Sequence, residues 1–348
     1  MPHSHLHRSH HFLSSFGELH VIVVCFNPHR FISRYTLARE FIERARAAGA
    51  TASLAEVAFG ERPYELCGLV GDRLNQVALR SSHELWLKEC IINAAVARLP
   101  HDWKYVAWVD ADVAFTNPHW VQETIQQLQH HPVVQMFHTA LDLSPDNLPI
   151  GVFKGFPASV LENGWAGDGT EPEIIGTDAY GYYTKTRLFH PGYAWACRRD
   201  AWDAFGGLLD INIVGGGDRQ MAYGFYGRMH DALFDGASAG YREAVLAWQE
   251  HALALKQNVG FVPGTLLHYW HGKKVNRRYF DRWKVLANND FDPRTDLKRD
   301  WHGLWQLAGN KIGLRDDLMA YWRLDRAVAG GDRSDRRSVS PRRLRSQI

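Results

Sequence analysis

The chain has 348 residues, 45% hydrophobic and 22% charged, with aromatics at 12%. That is the composition of an ordinary globular protein with enough chain for a large core, and it excludes disordered, collagenous and disulfide-framework classes. A formal net charge of +2 sets up no global field that would require a nucleic-acid partner.

Cys25, Cys67, Cys90 and Cys197 stand apart, with no CxxC or CxH spacing. They read as reduced residues of a cytoplasmic protein rather than a zinc or disulfide framework. No run approaches the roughly 18 apolar residues of a membrane span. The opening MPHSHLHRSHHF lacks an apolar core, so residues 1–18 are expected to be a His-rich tail and not a secretory signal.

Next, LHVIVVCFNP (19–28) is a continuous β-branched run closed by Asn-Pro, the pattern of a fully buried strand. The spacing of 33–50 predicts a helix from Ser33 to the stop at Gly49. Strands follow over 51–60 and 74–82, a helix over 83–100, and a strand over 104–115. Pro118 opens a helix to 132, and 133–141 reads as a strand. Strand–helix alternation with short links predicts an α/β fold with a mostly parallel central sheet flanked by helices. Ligands of such folds bind outside the carboxyl ends of the strands.

From 141 to 190 the chain is rich in Gly, Pro and aromatics, with little periodicity. It reads as a long connection without obvious helices, the kind that serves as a lid or binding loop. Helices are then expected over 198–206, after the glycines at 215–217, and over 241–257. A strand running through 259–268 leads into polar residues. The last 19 residues carry six arginines against two aspartates, the pattern of a disordered tail. The expected organisation is therefore 1–18 tail, 19–310 folded domain (an alternating half 19–140 and a second half 141–310), and 311–348 helical extension with an Arg-rich end.

Three constellations carry chemistry. In VDADV, Asp110 and Asp112 follow a strong apolar strand. If that strand continues, residues i and i+2 share a face with Cβ atoms roughly 6.5–7 Å apart. Two like charges so placed repel and are costly to bury. A divalent cation, Mn²⁺ or Mg²⁺, relieves both problems with oxygen ligands at roughly 2.0–2.2 Å. The other reading is a surface turn. In the second constellation, GGGDRQMAYG, three glycines allow a sharp turn or close approach before Asp218. An N-cap role and a general-base role are both open for this aspartate. Third, LLHYWHGKKVNRR places His268 and His271 at the end of an apolar run, with Lys273 and Arg277 following. Imidazole can complete a Mn²⁺ shell and the cations can neutralise phosphates. Trp165, Tyr193 and Trp195 suit stacking on a sugar or base, with the core as the alternative for Trp195.

Together, Asp110-Ala111-Asp112, Gly215-Gly216-Gly217-Asp218 and His271-Gly272, with His268 as the rival, resemble GT-A-fold, nucleotide-sugar-dependent glycosyltransferases in that order along residues 19–300. The resemblance implies a D-x-D holding Mn²⁺, an acidic residue activating the acceptor, and a late histidine completing the metal site. It implies a nucleoside diphosphate-sugar donor, a UDP-sugar as the first expectation, and it makes Lys88 and Asn93 candidates for contacts near the nucleotide. Phe26 and Asn27, at the end of the first strand, become candidates for holding the base. The acceptor is a glycan or a hydroxylated nucleic-acid base. Inversion with Asp218 as base is favoured. A metal-dependent nucleotidyltransferase also uses paired aspartates, but no Gly-rich basic loop supports it near the N-terminus. A non-catalytic carbohydrate- or nucleic-acid-binding protein is the alternative of a different class.

Overall fold

A computed structural model describes residues 17–68, 75–165, 189–270 and 281–331. In chain order the elements are β1 (Leu19–Phe26), α1 (Ile32–Ala47), β2 (Thr51–Phe59), β3 (Gln76–Ser81), α2 (Lys88–Val96), β4 (Tyr105–Val109) and β5 (Val113–Phe115). Then come α3 (Trp120–Leu128), β6 (Val133–Gln135), β7 (Thr139–Leu143), β8 (Pro149–Gly155) and α4 (Phe156–Asn163). They are followed by β9 (Phe189–His190), β10 (Ala194–Arg198), α5 (Arg199–Phe205), α6 (Gly217–Gly224) and α7 (Ala239–Ala252). Strands β11 (Val259–Phe261) and β12 (Thr265–His268), helices α8 (Arg282–Asn288) and α9 (Pro293–Asp296), the hairpin β13 (Leu297–Arg299) and β14 (Trp305–Leu307), and α10 (Ile312–Gly331) complete the chain.

The main sheet has the order β11-β6-β10-β4-β1-β2-β3. Its strands are parallel except for β10, which runs antiparallel to both neighbours. The expected α/β architecture, a mostly parallel sheet with helices on its faces, is present. β1 explains why: Val21, Val23 and Cys25 enter one core cluster while Ile22 and Phe26 enter the other, on the opposite face. A strand buried on both faces has no reason to alternate, hence its unbroken apolar run. A smaller mixed sheet, β5-β12-β7-β8-β9, lies alongside.

Several boundaries differ from expectation. The single strand expected over 104–115 is two strands in two different sheets, with a turn at Asp110–Asp112 between them. The runs 133–141 and 259–268 are divided between the same two sheets, as β6/β7 and β11/β12. Three runs that read as single strands thus cross from one sheet to the other, at Asp110–Asp112, at residues 136–138 and at Pro263-Gly264. The helix expected from residue 83 begins at Lys88, α1 begins at Ile32 rather than Ser33, and α3 begins at Trp120, past Pro118. The expected structureless stretch after 141 contains β8 and α4. Residues 166–188 and both tails lie outside the described residues.

In the main sheet, β1 continues to β2 and β3 on one side while β4 lies on the other. The strand order therefore reverses between β1 and β4, and the crevice at their carboxyl ends is where an α/β sheet receives a ligand. Phe26 and Val109 end those two strands, and Asp110 follows directly.

Candidate active site

Asp110 leaves β4 with its backbone N–H donating to the Tyr193 carbonyl (2.8 Å). Its carboxylate forms an ion pair with Lys88, the first residue of α2. Burial pushes the Asp110 carboxyl above its ordinary range; Lys88 pulls it back, and Asp112 pushes it further up. For the Lys88 ammonium, burial acts downward, but Asp110, Asp218 and Glu89 outweigh it and raise its pKa. Lys88 is the cationic centre of three carboxylates.

Asp112 turns elsewhere. The carbonyl of Asp112 accepts from Tyr269 N–H (2.8 Å), and its carboxylate Oδ1 lies 3.8 Å from His268 Nε2. β12 pairs antiparallel with β5, opposing His268 to Val113, and this register brings the histidine to the aspartate turn. The other face of the imidazole is engaged as well: Nδ1 lies 2.7 Å from Asp142 Oδ1. The premise that strand alternation aims both aspartates one way is therefore corrected. They sit on a turn, Asp110 with Lys88 and Asp112 with His268.

Asp218 is the second residue of α6, behind Gly215 and Gly216, whose φ angles of 89° and 90° are left-handed. Side chains rarely adopt two such angles in succession, and added Cβ atoms would also press on Arg282 and Trp283. The N-cap is Gly216, so Asp218 is not the cap that its place after the glycines suggested. Its Oδ1 accepts from Arg219 N–H (2.9 Å), and its Oδ2 packs so closely on Gly192 that a Cβ there would collide with it. A small cavity is lined by Lys88, Glu89, Gly192, Tyr193 and Asp218.

Glu89 was not anticipated. It is 4% exposed, accepts from Trp86 Nε1 (3.2 Å), and lies under Gly217. Burial pushes its carboxyl up to about 7, with Lys88 opposing and Asp218 adding to the shift. Asp142 was also missed, although an aspartate inside the apolar run TALDL was a usable sign. A charge on the buried face of a strand needs a partner.

The remaining site calls separate. Asn93 donates to Leu208 O (2.9 Å) and Asp210 Oδ2 (3.1 Å) and accepts from Leu208 N–H (2.8 Å). It clamps the 208–210 loop, whose Leu208 also lines the cavity beside Lys88 and Asp218. Asn27 uses both side-chain atoms on Phe31, closing the turn after β1. Phe26 is 8% exposed and packs against Phe59, Trp86 and Trp322. These contacts give Phe26 and Asn27 packing and turn-closing work at the carboxyl end of β1. Trp195 is core, donating to Pro191 O (2.8 Å). Trp165 packs on Phe156, Tyr223 and Tyr226 under the Arg228 guanidinium. His271, Lys273 and Arg277 lie outside the described residues.

Among the described residues, no three His, Cys, Asp or Glu side chains gather so as to enclose a metal ion. A nucleotide-bound Mg²⁺ or Mn²⁺ does not require such a cage, since one or two protein ligands suffice when phosphates and waters supply the rest. The carboxylate oxygen of Asp112 and the imidazole nitrogen of His268 are donors suited to Mn²⁺. The pair fits such an open site.

No known family and no curated protein sequence matches the chain. Solved structures do. Glucosyl-3-phosphoglycerate synthase from Mycobacterium tuberculosis, in complex with Mn²⁺, UDP and glucosyl-3-phosphoglycerate, is similar at 11% identity, with 83% of this chain and 84% of that one covered and a TM-score of 0.37. A point mutant of Drosophila β1,4-galactosyltransferase 7, in complex with manganese, UDP-Gal and xylobiose, is similar at 12% identity with a TM-score of 0.32. In that case 62% of each chain is covered, so this chain spans about three fifths of its relative's length. A 4-diphosphocytidyl-2C-methyl-D-erythritol synthase from Anaerococcus prevotii is similar at 11% identity, covering 72% and 88%, with a TM-score of 0.34. Among the described residues no helix is long and apolar enough to cross a membrane.

Proposed function

We propose that this protein is a metal-dependent glycosyltransferase that moves a sugar from a nucleoside diphosphate-sugar to an acceptor hydroxyl with inversion. One observation carries the reading: at the switch point of the sheet, Asp112 faces His268 while Lys88 gathers Asp110, Glu89 and Asp218. Tyr193 joins the two groups, lining the cavity beside Asp218 and packing on the His268 ring.

Asp112 and His268 would hold Mn²⁺. When bound, the ion neutralises charge developing on the departing diphosphate. Asp110, held by Lys88 and by the Tyr193 carbonyl, fixes the turn that presents Asp112. Asp218, placed by the Gly215-Gly216 turn against Gly192, accepts the proton from the acceptor hydroxyl as its oxygen attacks the anomeric carbon. The bond from that carbon to the diphosphate oxygen breaks as the new glycosidic bond forms, and the nucleoside diphosphate leaves. The Lys88 cation keeps the carboxylates around it compatible with one another. UDP-sugars are the first donors to try, with a glycan or a hydroxylated base as acceptor.

Thermal stability measured against UDP, GDP, TDP and their sugars, with Mn²⁺ and with chelator, tests the reading. A ligand at about a hundred times its Kd stabilises by roughly 2.7 kcal/mol. Stabilisation should require the metal and should vanish in Asp112→Asn. Product analysis then discriminates: a glycosyltransferase releases nucleoside diphosphate, a nucleotidyltransferase releases pyrophosphate, and a binding protein releases neither.

A further inference from the structure

We propose that Asp142 and Tyr193 are positioning residues for His268, locking its imidazole into the Nδ1–H tautomer so that Nε2 presents its lone pair beside Asp112. The inference rests on the reading of Asp112 and His268 as metal ligands and adds to it two residues from other parts of the chain.

The register sets the arrangement. β12 runs parallel to β7 with His268 opposite Asp142, so the two side chains meet across adjacent strands. Asp142 is fully buried. A single oxygen, Oδ1, lies 2.7 Å from His268 Nδ1 and 2.7 Å from the Tyr193 hydroxyl. An ionised carboxylate only accepts hydrogen bonds, so both neighbours donate to it. An imidazole that donates through Nδ1 and is neutral keeps Nε2 as a lone-pair donor. That nitrogen is the one turned toward Asp112, at 3.8 Å, beyond hydrogen-bond length.

Tyr193 is an unusual residue to find in this role. Its φ of 74° puts a bulky side chain in the left-handed region, a conformation that the surroundings must impose. Those surroundings use every part of it. Its carbonyl accepts the Asp110 N–H, and its ring stacks on His190 at 3.7 Å between centroids and lies 4.5 Å from the His268 ring. Its hydroxyl reaches Asp142. One strained residue thus joins the backbone of the aspartate turn to the carboxylate that orients the histidine. A carboxylate behind a metal-binding imidazole fixes the tautomer and raises its basicity, and removing one costs roughly 10- to 100-fold in metal affinity.

The test uses the full chain with ¹⁵N-labelled histidine, the tautomer being read before metal is added because paramagnetic Mn²⁺ erases the signal of a bound ring, and Mn²⁺ binding being measured afterwards with UDP. In the wild type at neutral pH, the His268 signal, assigned by its loss in His268→Gln, should show a neutral ring protonated on Nδ1. Asp142→Asn accepts either tautomer, because an amide both donates and accepts. It should shift the signal toward the Nε2–H form and weaken Mn²⁺ binding to the UDP complex roughly 10- to 100-fold, with UDP affinity in chelator unchanged. Tyr193→Phe, which keeps the rings, should weaken Mn²⁺ binding a few-fold and keeps the test open should Asp142→Asn fail to fold. A wild-type His268 that is doubly protonated, bridging Asp112 and Asp142 as an imidazolium, would overturn the proposal, as would an Nε2–H ring. So would equal Mn²⁺ affinity in wild type and both variants, an outcome that leaves the transferase reading standing. If wild type binds no Mn²⁺, the metal reading fails, and the tautomer signal alone decides whether Asp142 orients the ring.

Discussion

Strand β4 has a buried carboxylate site at each end, and the two are built on opposite principles. At its N-terminal end a cleft of about 790 Å³ is bordered by Arg98, Trp103, Arg199, Trp202 and Arg299. Its central acid, Asp210, accepts from Arg299 twice (2.8 and 3.1 Å), from Trp305 Nε1 (3.0 Å) and from Asn93 Nδ2 (3.1 Å). Four hydrogen bonds from three donor groups fill the roughly four lone-pair positions of a carboxylate. At the C-terminal end, Asp110 meets Lys88, a point charge on a long stem that does not form a planar fork, and Asp112 faces an imidazole nitrogen beyond hydrogen-bond length. The larger cleft thus surrounds an acid already committed to the protein. Asp110 and Asp112 stand at the other end, where the chemistry is proposed.

The sharpest way to break this contrast is at the C-terminal end. Asp218→Asn should lower kcat by about 10²–10⁴, and Asp112→Asn by about 10²–10³, with the melting temperature of each near wild type. A loss of folding instead of turnover would make either residue a structural acid like Asp210.

Asp210→Ala should do the reverse. Three donor groups lose their acceptor, at a cost of about 2–4 kcal/mol, seen as a melting temperature several degrees lower. Affinity for Mn²⁺-UDP, measured by calorimetry below the transition, should not change.

Glu89 gives a pH signature. Its carboxyl is raised from the usual 4.5 to about 7 by burial. Between those values the unfolded chain releases a proton that the native protein keeps, so stability is lost as pH rises through that window. Glu89→Gln removes the loss. Urea midpoints of variant and wild type should coincide near pH 4 and diverge in favour of the variant by pH 8, by up to about 3 kcal/mol. A constant difference across pH would show that Glu89 ionises normally.

Asn93→Ala should be the mildest. It removes three hydrogen bonds to the 208–210 loop and should cost about 1–2 kcal/mol, with the nucleotide Kd unchanged. A weakened nucleotide affinity would return Asn93 to the donor site that its sequence neighbourhood suggested.

What was legible in the residues, and what was not, divides by range. The unbroken apolar run of β1, the helical spacing of α1 and the left-handed Gly206 that ends α5 are written in neighbouring residues, because strand and helix periods are local properties. The parallel sheet follows from their alternation, and so does the placing of Asp110 and Asp112 after a central strand. The two glycines before Asp218 also declare a turn by themselves. Partner choice is different. Lys88 and Asp110 are paired by helix packing, and His268 reaches Asp142 from 126 positions away through strand register. Register depends on how whole strands align, and no local pattern records it. For the same reason the run KYVAWVDADVAF reads as one strand. Its apolar residues report burial, whichever sheet buries them, and only the tertiary structure decides that the chain turns between the two aspartates and sends each to a different partner.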